Sequence, residues 1–257
     1  MTRAAMGSGS RADPAARWEL ARGLLHGFEN RATSTRTGAG DGSSTEERML
    51  PVAEPLARLL PAGGLRRGST VAVPGGPGSG SLLLALLAEA SAGGAWVGVV
   101  GRPELGVVAA AEAGLRLDRL ALVPRPGADL LAVTSALLDG LDVVAVAGAE
   151  RAGIRATDRQ RLAARARQRG AVLVALGRWP GADLELSCAD ARWHGLGAGS
   201  SGGCGRLRSR ALRVRLHGRG VAPHGLDARL LLPAPGGGVA DDAGIPEAGR
   251  EMARVAG

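Results

Sequence analysis

Apolar residues in this chain fall in short unbroken runs separated by longer mixed segments. Val71–Val73, Trp96–Val100, Leu120–Val123, Asp142–Ala147 and Ala171–Leu176 have the length and β-branched content of strands buried on both faces. Between them lie helical stretches: Leu83–Ala90, Glu104–Ala113, Ala128–Leu138 and Asp158–Arg169. Each is followed by glycine, at Gly93-Gly94, Gly114, Gly140 and Gly170. Strands alternating with helices predict a mainly parallel sheet covered on both faces. A short helix over Val52–Leu60 and a turn at Gly63-Gly64 precede it.

The rhythm then changes. Leu184–Trp193, Arg206–His217 and Ala228–Leu232 read as strands with no helix between them, which predicts an antiparallel extension. Arg206, Arg208, Arg210, Arg213 and Arg215 alternate with other residues, and the phase slips at Ala211-Leu212, which suggests a bulge. The arginines are expected on the open face of an edge strand. There they would guard the edge or meet phosphates or an acidic partner. No aromatic residue interleaves them within the strand, so base stacking is not expected there.

Outside the body, Trp18, Ala21, Leu25 and Phe28 fall on one face of an amphipathic helix over 14–28. The domain plan is then 1–48, this helix with a Ser/Thr/Gly-rich linker; 49–233, the α/β core; and 234–257, a Gly/Pro-rich tail expected to be disordered. The helix packs on its own chain or on a partner; Trp18, Leu25 and Phe28 are its contact candidates. Trp179, in the stiff Trp179-Pro180-Gly181 loop, is a further anchor candidate if exposed.

Composition adds three constraints. All 32 basic residues are arginine against 24 carboxylates, a net charge of +8, which suits phosphate contacts but also follows from an arginine-rich composition. No apolar run approaches the roughly 20 residues of a membrane span, and residues 1–14 carry no secretory apolar core, so a cytoplasmic, nucleoid-accessible protein is expected. Cys188 and Cys204 have no metal or redox spacing and no His pairing accompanies them, so no metal is expected.

The most specific chemistry is negative. Gly75 and Gly80 match the glycines of the phosphate-binding pattern G-x-x-x-x-G-K-[ST] between a strand and a helix, but Ser81 stands at the lysine position and Leu82 at the metal-binding hydroxyl position. The strand expected to carry a metal-binding aspartate ends at Ala147, with Asp142 at its other end. Glu104 follows the second strand, where a water-activating base would sit or where a carboxylate would simply favour a helix N-terminus. The glycine loop therefore reads as a degenerate P-loop, with no catalytic residue and no cofactor expected.

In order, Leu59–Ser69, Val99–Gly106, Trp179–Leu184 and Trp193–Gly197 resemble the actinobacterial ImuA-like (ImuA-prime) members of the RecA superfamily, over about Leu50 to Pro233. The resemblance implies a RecA-like core. It also implies a non-catalytic accessory protein of error-prone translesion synthesis in the SOS response, partnered by a Y-family polymerase homologue and a C-family polymerase. Two alternatives stand beside it. One is a divergent ATP- or DNA-binding protein in which Arg66, Arg67 or Arg102 reaches the phosphates; the other is an SOS cell-division inhibitor.

Overall fold

The computed structural model describes residues 48–196 and 205–242. The expected helix over 14–28, with Trp18, Leu25 and Phe28, lies outside them, as do Cys204 and residues 243–257.

A nine-stranded sheet runs in the order Ala240–Asp241, Leu226–Leu231, Gly205–Gly218, Leu184–Leu196, Thr70–Val73, Val172–Leu176, Val143–Ala147, Val97–Val100, Leu120–Val123. Its parallel part comprises β3 (Thr70–Val73), β4 (Val97–Val100), β5 (Leu120–Val123), β6 (Val143–Ala147) and β7 (Val172–Leu176). Every residue of β3, β4 and β6 is buried. This is why their sequences, apart from Thr70, are apolar runs rather than alternating ones. A small antiparallel pair, β1 (Met49–Leu50) with β2 (Leu65–Arg66), stands before it.

One face is covered by α1 (Glu54–Ala57), α2 (Ser79–Ala92) and α3 (Val107–Glu112). Leu82, Leu83, Leu86 and Leu87 of α2 have no exposed surface and pack with Val71, Val73, Val97, Val99, Val172 and Val174. Helix α2 is apolar on nearly all sides because it is roofed in turn by Leu56, Leu59, Leu60 and Leu65. The other face is covered by α4 (Leu130–Gly140) and α5 (Ala156–Arg169). Gly98 lets α4 approach closely, since a Cβ there would lie 2.7 Å from Leu141 Cδ1. Helix α5 buries only Leu162 and Ala166; Arg165 and Arg169 pair with Asp139 of α4. It ends at Gly170, whose φ of 66° is the left-handed cap that glycine adopts without a Cβ clash.

The C-terminal strands are β8 (Leu184–Leu196), β9 (Gly205–Gly218), β10 (Leu226–Leu231) and β11 (Ala240–Asp241). Strand β8 joins β3 in parallel, at Val71↔Leu184 and Ala72↔Glu185, so the antiparallel order begins only at β9. The extra residue falls on β8 rather than at Ala211-Leu212: the ladder slips between Ala189 and Arg192, where Asp190 has φ 54°. The core also continues past Pro233, because Ala240 and Asp241 pair with Leu231 and Leu230. Among the described residues no helix is long and apolar enough to cross a membrane.

Candidate functional site

Parallel strands deliver their loops to one end of the sheet, and open α/β sheets bind ligands at that end. Here the loop from Pro74 to Gly78 leaves β3 and enters α2 at Ser79. Gly75, Gly76 and Pro77 are exposed, whereas Gly78 is buried. Gly78 has φ 102°, and a Cβ there would lie 2.8 Å from Leu212 Cδ2 and 3.3 Å from Cys188 Cβ. The loop is thus seated on side chains of β8 and β9. It closes on itself as well, with the Ser79 hydroxyl donating to the Gly76 carbonyl at 2.9 Å.

The next two positions are taken up by the protein's own structure. Leu82 is fully buried in the core. The Ser81 hydroxyl accepts a hydrogen bond of 2.5 Å from Arg210 Nη2. Arg210 also donates to the Leu232 carbonyl at 3.2 Å and stacks on Trp193, its guanidinium carbon 4.8 Å from the ring centroid. Burial pushes the guanidinium below its usual value. Burial likewise pushes the Cys188 thiol up to about 11, with the Arg210 charge pulling the other way. Cys188 is therefore a neutral packing residue at ordinary pH.

Arg210 corrects the expectation of one open arginine face. It shares a pleat face with the buried Leu212, Val214 and Leu216, while Arg213 and Arg215 point to the other. Arg213 lies 3.3 Å from Asp190, Arg215 is exposed, and Arg208 lines a groove beside Trp193. Arg206 belongs to β9 by its backbone; its side chain lies outside the description.

The remaining candidates separate. Ala147 ends β6 and is buried. Asp142, at the other end of that strand, accepts from the Trp96 amide at 2.9 Å and from Arg67 at 2.8 Å. Arg67 is thereby held away from the glycine loop, and Arg66 is exposed in β2 at the same far end. Arg102 is beside the loop, its Nη2 3.2 Å from where a Gly80 Cβ would be. It also lies 3.4 Å from Glu104. Helix α3 starts at Val107, so Glu104 is an exposed loop residue paired with arginine rather than a first-turn carboxylate.

Trp179 is buried, with Arg159 5.4 Å over its ring, so it is not an exposed anchor. Among the described residues Trp193 is the exposed tryptophan, at 47 %. Periodicity could not separate them, because a Pro-Gly loop looks exposed and a strand position looks buried. Among the described residues no group of three or more His, Cys, Asp or Glu side chains is placed to hold a metal ion.

The sequence profile described as the MT3502 N-terminal domain matches residues 58–181. A Mycobacterium tuberculosis (strain ATCC 25618 / H37Rv) protein carrying the description "Uncharacterized protein Rv3395c" is 36% identical over 171 residues, covering 63% of this chain and 79% of the relative. On that extent of similarity, the chain belongs to the MT3502 family, together with this mycobacterial protein.

Proposed function

We propose that this is a non-catalytic, RecA-like accessory protein that organises an error-prone translesion synthesis complex in the DNA-damage response. Its partner would be a Y-family polymerase homologue working with a C-family polymerase. The carrying observation is the pair Ser81 and Leu82. A working P-loop presents an ammonium and a hydroxyl to phosphate and Mg²⁺ at these positions. Here Leu82 is buried in the core and Ser81 is engaged by Arg210. The third position, Ala147, has no oxygen ligand to offer. The degenerate P-loop would then survive as a packing element between α2 and the β8–β9 pair. The polymerase partner rests on the resemblance of Leu59–Ser69, Val99–Gly106, Trp179–Leu184 and Trp193–Gly197 to the ImuA-like group.

Affinity capture of the tagged full chain from DNA-damaged cells of its source, read by mass spectrometry, tests this. Recovery of a Y-family polymerase homologue is expected; recovery of division proteins instead would overturn it and favour the division-inhibitor alternative.

Arg102 supports the second reading, a divergent nucleotide-binding protein, because its guanidinium stands against Gly80 and arginine binds phosphate well. Calorimetry with ATP and Mg²⁺ separates the two. Micromolar binding that Arg102→Ala abolishes would favour the nucleotide reading, and no heat at millimolar ligand would favour the scaffold.

A further inference from the structure

The β8–β9 pair extends beyond the sheet that carries it. Strand β3 pairs with β8 only at Leu184 and Glu185, and β10 pairs with β9 only from Ala211 to Leu216. Past Arg210, whose amide donates to the Pro233 carbonyl, the described part of the ribbon has no neighbouring strand on either side. β8 and β9 together carry six arginines against two carboxylates, and one of those, Asp190, faces Arg213.

The ribbon is also aromatic where it is most basic. No aromatic lies within β9, but Trp193 of β8 is the direct cross-strand partner of Arg210. Its ring carries the guanidinium on one side and is 47 % exposed. Beside it opens a groove of about 890 Å³, with Trp193 and Arg208 on the ribbon wall, Ala109 and Glu112 on α3, and Pro233 and Pro235 opposite.

We propose that this ribbon face binds single-stranded nucleic acid, with Trp193 as the platform for one unstacked base and Arg208 contacting an adjoining phosphate. The ligand that suits these groups alternates a flat apolar ring with an anion. Single strands do so at every residue, whereas an acidic peptide supplies charge but no ring to stack. In a duplex the bases are already stacked, so Trp193 would find no free face. The chain's +8 charge would draw such a polyanion toward the ribbon. This proposal does not rest on the polymerase reading, because it concerns the chain's own contact with the strand.

The test is fluorescence anisotropy of the full chain with a labelled oligothymidine of roughly 20 nucleotides, long enough for one stacking site and its flanks. Wild type is expected to bind, and to weaken as salt rises from about 50 to 200 mM. Trp193→Ala should weaken binding roughly 5- to 150-fold, the span that loss of one stacked base implies. Trp193→Phe, which keeps a ring, should stay within about threefold of wild type. Arg208→Ala should lower the salt slope by about 0.7. Arg161→Ala, removing the same charge from the exposed face of α5, should change neither quantity. Four results would overturn the proposal: no binding at low salt, tighter binding to duplex of equal length, equal affinity for wild type and Trp193→Ala, or an Arg161→Ala effect as large as that of Arg208→Ala.

Discussion

The parallel half of the sheet and its C-terminal ribbon are built from similar strands under different constraints. In the parallel half, residues of β3 such as Val71 and Ala72 have helices on both sides, and both faces are almost wholly apolar, with Thr70 a buried exception. In the ribbon only one face is packed, by Leu212, Val214 and Leu216, while Arg213 and Arg215 occupy the other. The first region is core on both faces; the second joins the same core through Leu186, Leu212, Val214 and Leu216 and has room left for charge and an exposed ring. The family match at 58–181 covers most of the parallel half and ends before β8 begins.

The comparison can be broken by substitution. Leu86 has no exposed surface, so Leu86→Ala should cost about 2–5 kcal/mol in denaturant unfolding. The matching truncation in the ribbon, Leu207→Ala at a 45 % exposed position, should stay within about 0.5 kcal/mol. Equal losses would show that the ribbon is part of the same cooperative core.

Cys188 sharpens the boundary between the regions, since it lies where the ribbon meets the glycine loop. Its thiol is raised from 9.0 to about 11, so at about pH 8 its alkylation should run roughly a hundredfold slower than that of an ordinary thiol. The folded state holds this proton more tightly than the unfolded chain. The resulting stabilisation is fully present below about pH 9 and is lost as pH rises toward about 11. In Cys188→Ala this part of the alkaline decline should be absent. Alkylation of the folded wild type at the rate of the denatured chain, followed by mass spectrometry at Cys188, would show that the contact with Gly78 opens readily.

At the far end of the parallel half, Asp142→Ala removes the carboxylate that accepts from the Trp96 amide and from the Arg67 guanidinium, leaving Arg67 only its long bond to the Gly170 carbonyl. A loss of about 1–3 kcal/mol is expected from thermal or urea unfolding, with no change in oligonucleotide binding. The smallest effect belongs to the surface pair of Arg213 with Asp190. Asp190→Asn should change stability by no more than about 0.5 kcal/mol, a shift that a double-mutant cycle with Arg213→Ala can isolate.

Much of this architecture is legible in the chain because burial on two faces leaves little freedom of composition. Leu120–Val123 is predicted with its observed bounds, and the other parallel strands differ by a residue or so at an end. Helix ends were harder to read. Ser79 begins α2 well before the apolar run at Leu83, because Gly78 and the Ser79 turn set the start rather than hydrophobicity. The long-range pairs were not legible at all. Arg210 and Ser81 are 129 positions apart, and their contact depends on which pleat face β9 turns toward α2.

What the sequence determined by itself is the alternation of buried strands and helices, the switch to an antiparallel end, and the presence of Ser81 and Leu82 after the glycine-rich loop and of Ala147 at the end of β6. Those follow from residue type and local order, which a linear chain displays. Only the tertiary structure decided that Trp179 is covered and Trp193 open, that the extra residue sits at β8, and that Arg210 reaches Ser81 beside a tryptophan. Each of these depends on register between strands, and one residue of slip moves a side chain to the opposite face.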